Sequence, residues 1–197
     1  GLDHPMRAEI LAAGETDPAR VAAACAAPPD GKPALFYQKH MTHHMVPGVP
    51  RSWMAACANV FLIRHPARVI ASYAQKREAP TLTDLGFTQQ ADLFAAEADR
   101  LGHAPLVIDS AAIRADPGAA LARLCAALGI PFTDRMLRWP AGPKPFDGIW
   151  APHWYNAVHR STGFEAAEGA LPALPDAYRA LAEAALPIYR RLAAHAL

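Results

Sequence analysis

The sequence predicts an α/β fold in which a parallel sheet is covered by helices. Two short apolar runs, Asn59-Val60-Phe61-Leu62-Ile63 and Pro105-Leu106-Val107-Ile108, read as buried strands. Helical stripes alternate with them, and some of these open at a proline suited to a first helical position. The 19 prolines, about twice the average share, fall mostly between periodic segments and mark stiff loops.

Taken in order, residues 6–13 and 18–26 suggest two short helices, with Asp17 as N-cap and Pro18 as first helical residue of the second. Pro28-Pro29-Asp30-Gly31 breaks the pattern, and Ala34-Leu35-Phe36-Tyr37-Gln38 reads as a further strand. After the run ending at Ile63, Arg64-His65-Pro66 makes a tight turn into a helix that carries Val69, Ile70 and Tyr73 on one stripe and runs to about Glu78. A longer helix is expected over residues 88–101, with Leu93, Phe94 and Leu101 inward. Beyond the run ending at Ile108, Asp116-Pro117 opens a helix through Leu121, Leu124, Cys125 and Leu128 that Gly129 closes. Residues 139–175 are rich in Pro, Gly and aromatics and read as a long functional loop or lid within a single domain, 1–197. A last helix carries Tyr178, Leu181, Ala185, Ile188 and Leu192, and Pro187 should kink it near residues 183–186.

Composition bounds the partners. With 197 residues, 52% hydrophobic and 19% charged, the chain is long enough for an ordinary core and too apolar for disorder. A formal charge of +1 supplies no global field for a nucleic-acid backbone or an anionic membrane, so an anion site must be local. No apolar stretch reaches the ~18–20 residues that span a bilayer, and no secretory leader opens the chain. Cys25, Cys57 and Cys125 form no C-x-x-C pair and read as small buried hydrophobes in a reducing compartment, hence the cytoplasm. The apolar content fits either a homodimer face or a well-filled core.

Two segments carry candidate chemistry. Arg64 follows a parallel strand, at the edge where α/β sheets bind ligands, and its guanidinium can grip a phosphate with two prongs. Ser72, eight residues on in the following helix, can add a hydroxyl to the same anion; the plainer alternative is a turn salt bridge and a hydroxyl bonded to its own i−4 carbonyl. Lys39-His40-Met41-Thr42-His43-His44 follows the expected strand at 34–38, with Lys39 and His40 nearest the cleft; His suits a general base near neutral pH, and Lys can balance leaving-group charge. His40 and His44, at i and i+4, would share a helix face as metal ligands, but a third ligand would have to come from elsewhere, and no metal is expected.

The run Ile63-Arg64-His65-Pro66 through Ser72-Tyr73 resembles the sulfotransferase motif for the 3′-phosphate of 3′-phosphoadenosine 5′-phosphosulfate: Arg ending a strand, Pro two later, Ser eight later. His40 with Met41 and Val46-Pro47 looks like that family's catalytic-base segment, although Gln38 stands where its Lys usually falls and Lys39 is one place later. Ile108-Asp109, Asp116-Pro117 and Leu128-Gly129-Ile130-Pro131-Phe132 follow a course similar to bacterial sulfotransferases, with Ile108 in place of the usual Tyr. Val158-His159-Arg160-Ser161-Thr162-Gly163-Phe164 resembles the late basic loop that closes over the 3′-phosphate.

The resemblance implies a three-layer phosphate-loop fold and an enzyme that moves a sulfuryl group from 3′-phosphoadenosine 5′-phosphosulfate to a hydroxyl or amine of a small acceptor. His40 would take the acceptor proton, Lys39 would offset charge on the bridging oxygen, and Arg64, Ser72 and Arg160 would bind the donor. The family's N-terminal strand and 5′-phosphosulfate loop have no counterpart in the sequence: Gly31-Lys32-Pro33 lacks an upstream glycine, and Pro33 lacks an N–H. Gly1-Leu2-Asp3-His4-Pro5 is similar to a segment that follows such a loop in bacterial members, so a missing natural N-terminus is expected. The alternatives are a non-catalytic nucleotide- or partner-binding module of the same fold and a metal hydrolase centred on His40 and His44. The aromatic stretch Trp150-Ala151-Pro152-His153-Trp154-Tyr155 is either an acceptor pocket lining or plain loop packing.

Overall fold

The computed structural model describes residues 6–27, 35–75 and 79–197. In chain order its elements are α1 (Arg7–Ala13), α2 (Pro18–Ala26), β1 (Val60–Ile63), α3 (Pro66–Ala74), α4 (Leu82–Leu85), α5 (Phe87–Leu101), β2 (Leu106–Asp109), α6 (Ser110–Ala115), α7 (Pro117–Leu128), α8 (Ala151–Trp154), α9 (Asn156–Arg160) and α10 (Arg179–Ala193). They fall into two compact units, one of Gly1–Tyr37, Gly48–Cys57 and Thr133–Glu165, the other of Gln38–Pro47, Ala58–Phe132 and Ala166–Leu197.

The second unit holds the sheet. β1 and β2 pair in parallel, Val60 opposite Leu106 through Ile63 opposite Asp109. Parallel pairing requires a crossover, and α3, α4 and α5 supply it. Phe61, Ile63 and Val107 are buried, as are Ile70 of α3 and Leu192 of α10, and α10 packs on α3, α5 and both strands. Removing the Leu192 side chain from this core should cost roughly 2–5 kcal/mol. Phe61 meets Phe94 of α5 edge to face at 5.5 Å. Leu197 donates its N–H to the Val107 carbonyl at 3.0 Å, which ties the chain end to β2.

Local chemistry sets the helix ends. Asp109 caps α6 and Asp116 caps α7, each carboxylate accepting from a backbone N–H of the first turn, and Gly129 (φ +66) ends α7 in the left-handed conformation open to glycine. Thr81 and Asp84 form a reciprocal capping box for α4. One buried carboxylate, Glu97 at 4% exposure, is satisfied by Asn59 Nδ2 at 2.8 Å and Arg100 Nε at 2.9 Å.

In the first unit Asp17 caps α2, accepting from Ala19 and Arg20, and α2 packs against the 3₁₀ turn Ser52–Ala56 with Ala22 and Trp53 buried. Residues 139–165 are tied together rather than structureless. Trp139 Nε1 donates to Ser161 Oγ at 2.9 Å, Arg138 bridges Gly163 in antiparallel fashion, and His159 Nε2 meets Asp147 Oδ2 at 2.9 Å. Trp150 stacks edge-on with Tyr155 at 4.8 Å, so this aromatic stretch packs at least partly on itself.

Two expectations are corrected. Residues 35–38 form no strand: Leu35, Phe36 and Tyr37 are 56%, 45% and 80% exposed, and an apolar run without a neighbouring strand has no ladder to join. The sheet among the described residues therefore has two strands. His40 and His44 share no helix face, because Met41 between them is extended and only Thr42–His44 turn, as one 3₁₀ turn. As expected, Pro187 lies inside the last helix, α10, where its missing N–H deprives the Glu183 carbonyl of its in-helix donor. The break at 28–31, the Gly31-Lys32-Pro33 segment, Gly1 to Pro5 and the expected end of α3 near Glu78 lie outside the described residues. Among the described residues no helix is long and apolar enough to cross a membrane.

Candidate functional site

The parallel register places the carboxyl ends of β1 and β2 side by side, Ile63 against Asp109, so the residues that follow them share one edge. After β1 the chain turns through Arg64 and His65 into α3. The His65 Nδ1 accepts the Ala67 N–H at 3.2 Å and so caps the helix. Burial, and secondarily the charge of Arg68, push the His65 imidazole below its ordinary value, which keeps it neutral for that acceptor role.

After β2, Asp109 accepts the Ala111 N–H with Oδ1 and the Tyr189 hydroxyl with Oδ2 at 2.6 Å. Burial, reinforced by the Asp109 hydrogen bond and charge, pushes the Tyr189 phenol up to about 12. It therefore remains a donor throughout the physiological range. The Tyr189 ring lies 5.3 Å from that of His65, joining α10 to both strand ends. The Ser110 hydroxyl, next to Asp109, is buried with no hydrogen-bond partner.

Beside this frame three arginines from three elements converge on one carboxylate. Glu168, 5% exposed in its side chain, accepts from Arg64 Nε at 2.9 Å and again from Arg64 Nη2. Its other oxygen lies 2.9 Å from Arg68 Nε, one turn into α3, and Arg114 Nη1 of α6 approaches to 4.0 Å. Arg68 also donates to the Gly169 and Ala170 carbonyls, and Arg114 Nε to the Ala166 carbonyl at 2.8 Å. Planar forks of this kind are matched to carboxylate and phosphate oxygens, so the donor set suits an anion at the strand ends.

Arg64 thus sits where sequence reasoning places it. Ser72 is exposed on α3, eight residues from Arg64. Lys39 and His40 lie in the irregular residues 38–41, in the same unit as the Thr42–His44 turn that follows, and both are exposed. His40 Nε2 donates to Gln38 Oε1 at 3.1 Å, which leaves Nδ1 as the basic nitrogen, and desolvation lowers its pKa from 6.5. The adjoining turn is anchored by Thr42, whose hydroxyl donates to the Gly86 carbonyl at 3.0 Å. Arg160 ends α9 in the other unit and is exposed. Sequence reasoning missed Arg68, Arg114, Glu168 and Tyr189. Arg68 had a usable signal, a basic residue in the first turn of the helix that leaves the Arg64 turn; Glu168, more than a hundred residues away in an aperiodic stretch, had none.

The chain is an α/β protein with a parallel sheet and flanking helices, and its arginines stand at the strand ends, the edge at which open α/β sheets bind their ligands. The sulfotransferase domain matches residues 1–196, and the chain belongs to that family. It is 34% identical over 195 residues to branched-chain-amino-acid aminotransferase-like protein 1 of Arabidopsis thaliana and 33% identical to the like-named protein 2. Each match covers 99% of this chain, which spans only about a third (35% and 34%) of those relatives' length. No solved structure matches.

Proposed function

We propose that this chain, taken as one functional domain, transfers a sulfuryl group to a hydroxyl or amine of a small-molecule acceptor, with 3′-phosphoadenosine 5′-phosphosulfate as the co-substrate that supplies the activated group. The observation that carries the reading is Arg64: in a sulfotransferase-family chain, a guanidinium at the carboxyl end of β1 already grips an oxyanion through two nitrogens. Sulfuryl transfer, like phosphoryl transfer, asks a protein mainly for in-line positioning and charge stabilisation.

In this reading Arg64 and Ser72 hold the donor's 3′-phosphate with help from Arg160, and Lys39 offsets charge on the bridging oxygen. His40 takes the acceptor proton at Nδ1. Desolvation favours its neutral, basic form, so the base is ready at neutral pH. The three cysteines, Cys25, Cys57 and Cys125, are thiols rather than disulfides, which supports the cytoplasm as the compartment.

The test is titration of adenosine 3′,5′-bisphosphate into wild type and Arg64→Ala. Loss of a two-pronged, charge-assisted contact should weaken binding by about 100-fold, on roughly 3 kcal/mol for two such bonds. Equal binding by both proteins would remove Arg64 from the site. With turnover in hand, the acid limb of kcat/KM should fall below pH 6.5 and vanish with His40→Ala; an unchanged profile would reassign the base.

A further inference from the structure

Cys25 and Cys57 take no part in the sulfuryl-transfer chemistry proposed above. We propose that they form a redox pair: a hydroperoxide converts the two thiols into one intrachain disulfide that ties the end of α2 to the 3₁₀ turn Ser52–Ala56, and reduced glutathione reverses it. The inference stands apart from the roles given to Arg64 and His40.

The first support is packing. Cys25 lies in the last turn of α2, and Cys57 is the C-cap of the Ser52–Ala56 turn. The two elements pack on each other within one compact unit, so residues distant in sequence arrive side by side.

The second is contact. Cys57 Sγ lies 3.9 Å from the carbonyl oxygen of Cys25 and 3.8 Å from that of Trp53. The Cys25 carbonyl belongs to the last helical turn, and the residues three and four places on, Pro28 and Pro29, have no N–H to offer it. The Cys57 S–H answers that acceptor, though only as a weak donor. The same oxygen is two bonds from the Cα that bears the second thiol.

The third is the state of the thiols. Burial, and secondarily the charge of Cys57, push the Cys25 thiol above its ordinary value, so the two sulfurs sense each other. Cys25 therefore stays protonated at neutral pH, and the first attack falls to Cys57. Both thiols are half-buried and within reach of a small oxidant, whereas Cys125 is 5% exposed. In a reducing compartment such a pair rests as two thiols and closes only when oxidant appears.

The chemistry balances with hydrogen peroxide. The Cys57 thiolate attacks one peroxide oxygen, the O–O bond breaks, and the departing hydroxide takes up the thiol's proton as water, leaving a sulfenic acid. Cys25 sulfur then attacks Cys57 sulfur, the S–O bond breaks, and the hydroxyl leaves with the Cys25 proton as a second water. Peroxide is reduced by two electrons, one from each sulfur. A thiol that only capped α2 would share the contacts and would not cross-link.

The experiment exposes the whole reduced chain to hydrogen peroxide, alkylates the remaining thiols and maps the peptides by mass spectrometry without reduction. The intact mass should fall by two hydrogens before alkylation. The peptide holding Cys25 should be joined to the one holding Cys57, at least about 10-fold in excess over any pairing with Cys125, which should be recovered alkylated. Millimolar reduced glutathione should restore both thiols. In Cys25→Ser, dimedone should trap the sulfenic acid on Cys57.

Three thiols surviving the oxidant would overturn the pair. So would a link to Cys125 or between chains, or a Cys57 sulfinic acid accumulating without a cross-link. A Cys25–Cys57 disulfide that glutathione left intact would overturn its reversibility, and folded Cys25→Ser without the dimedone adduct would overturn the peroxide route. Should that variant fail to fold, the wild-type map and its reversal by glutathione decide alone.

Discussion

Tyr189→Phe isolates a single hydrogen bond in the frame behind the site. The hydroxyl donates to Asp109 Oδ2 at 2.6 Å, and its removal leaves that oxygen without a protein donor. A hydrogen bond to a charged acceptor is worth about 1.5–3 kcal/mol, so the variant should lose roughly 2 kcal/mol at pH 7. At about 2–4 °C per kcal/mol for a chain of this size, its Tm should fall by roughly 4–8 °C. The pH dependence is a sharper check. The folded-state phenol titrates at about 12, above its ordinary value of 10, so the protonated form is the stabilising one. Its contribution is complete below pH 10 and is lost as pH rises toward 12. Urea unfolding followed by circular dichroism should therefore show the gap between wild type and Tyr189→Phe closing between pH 10 and 12, with the m-value unchanged. A gap under about 0.3 kcal/mol at pH 7, or one constant with pH, would refute the assignment of Tyr189 as a working donor.

Two further predictions concern the supports of the fold. Glu97 is held below its ordinary value first by its hydrogen bond from Arg100, so its contribution is present above the unfolded-state value near 4.5 and disappears as pH falls through the lower folded-state one. Glu97→Gln should cost roughly 2 kcal/mol at pH 7 and flatten the acid limb of a stability-versus-pH curve; an acid limb identical to wild type would count against this. Gly86→Ala should destabilise by about 1–2 kcal/mol, because φ is +75 and the new Cβ would stand 2.5 Å from Thr42 Oγ1; a urea midpoint equal to wild type would contradict that geometry.

Asp17, Asp116 and Gly129 announce their helix ends in the sequence because capping is a contact between neighbours along the chain. Val60 to Ile63 and Leu106 to Asp109 were legible as strands for a related reason, since short apolar runs bounded by turn residues favour a strand, although Leu62 is left 57% exposed. The same rule failed at Leu35 to Tyr37. Burial of a strand needs a partner, and the sequence does not name one. For the site, the Arg64-His65-Pro66 turn places a guanidinium at a strand end from sequence alone. What that guanidinium touches was decided by tertiary structure: Arg68, Arg114 and Glu168 meet only because α3, α6 and a distant aperiodic segment arrive at one sheet edge. Periodicity and capping act over a few residues of chain. A contact between residues 64 and 168 depends on the path of everything between them, and only the folded chain fixes that path.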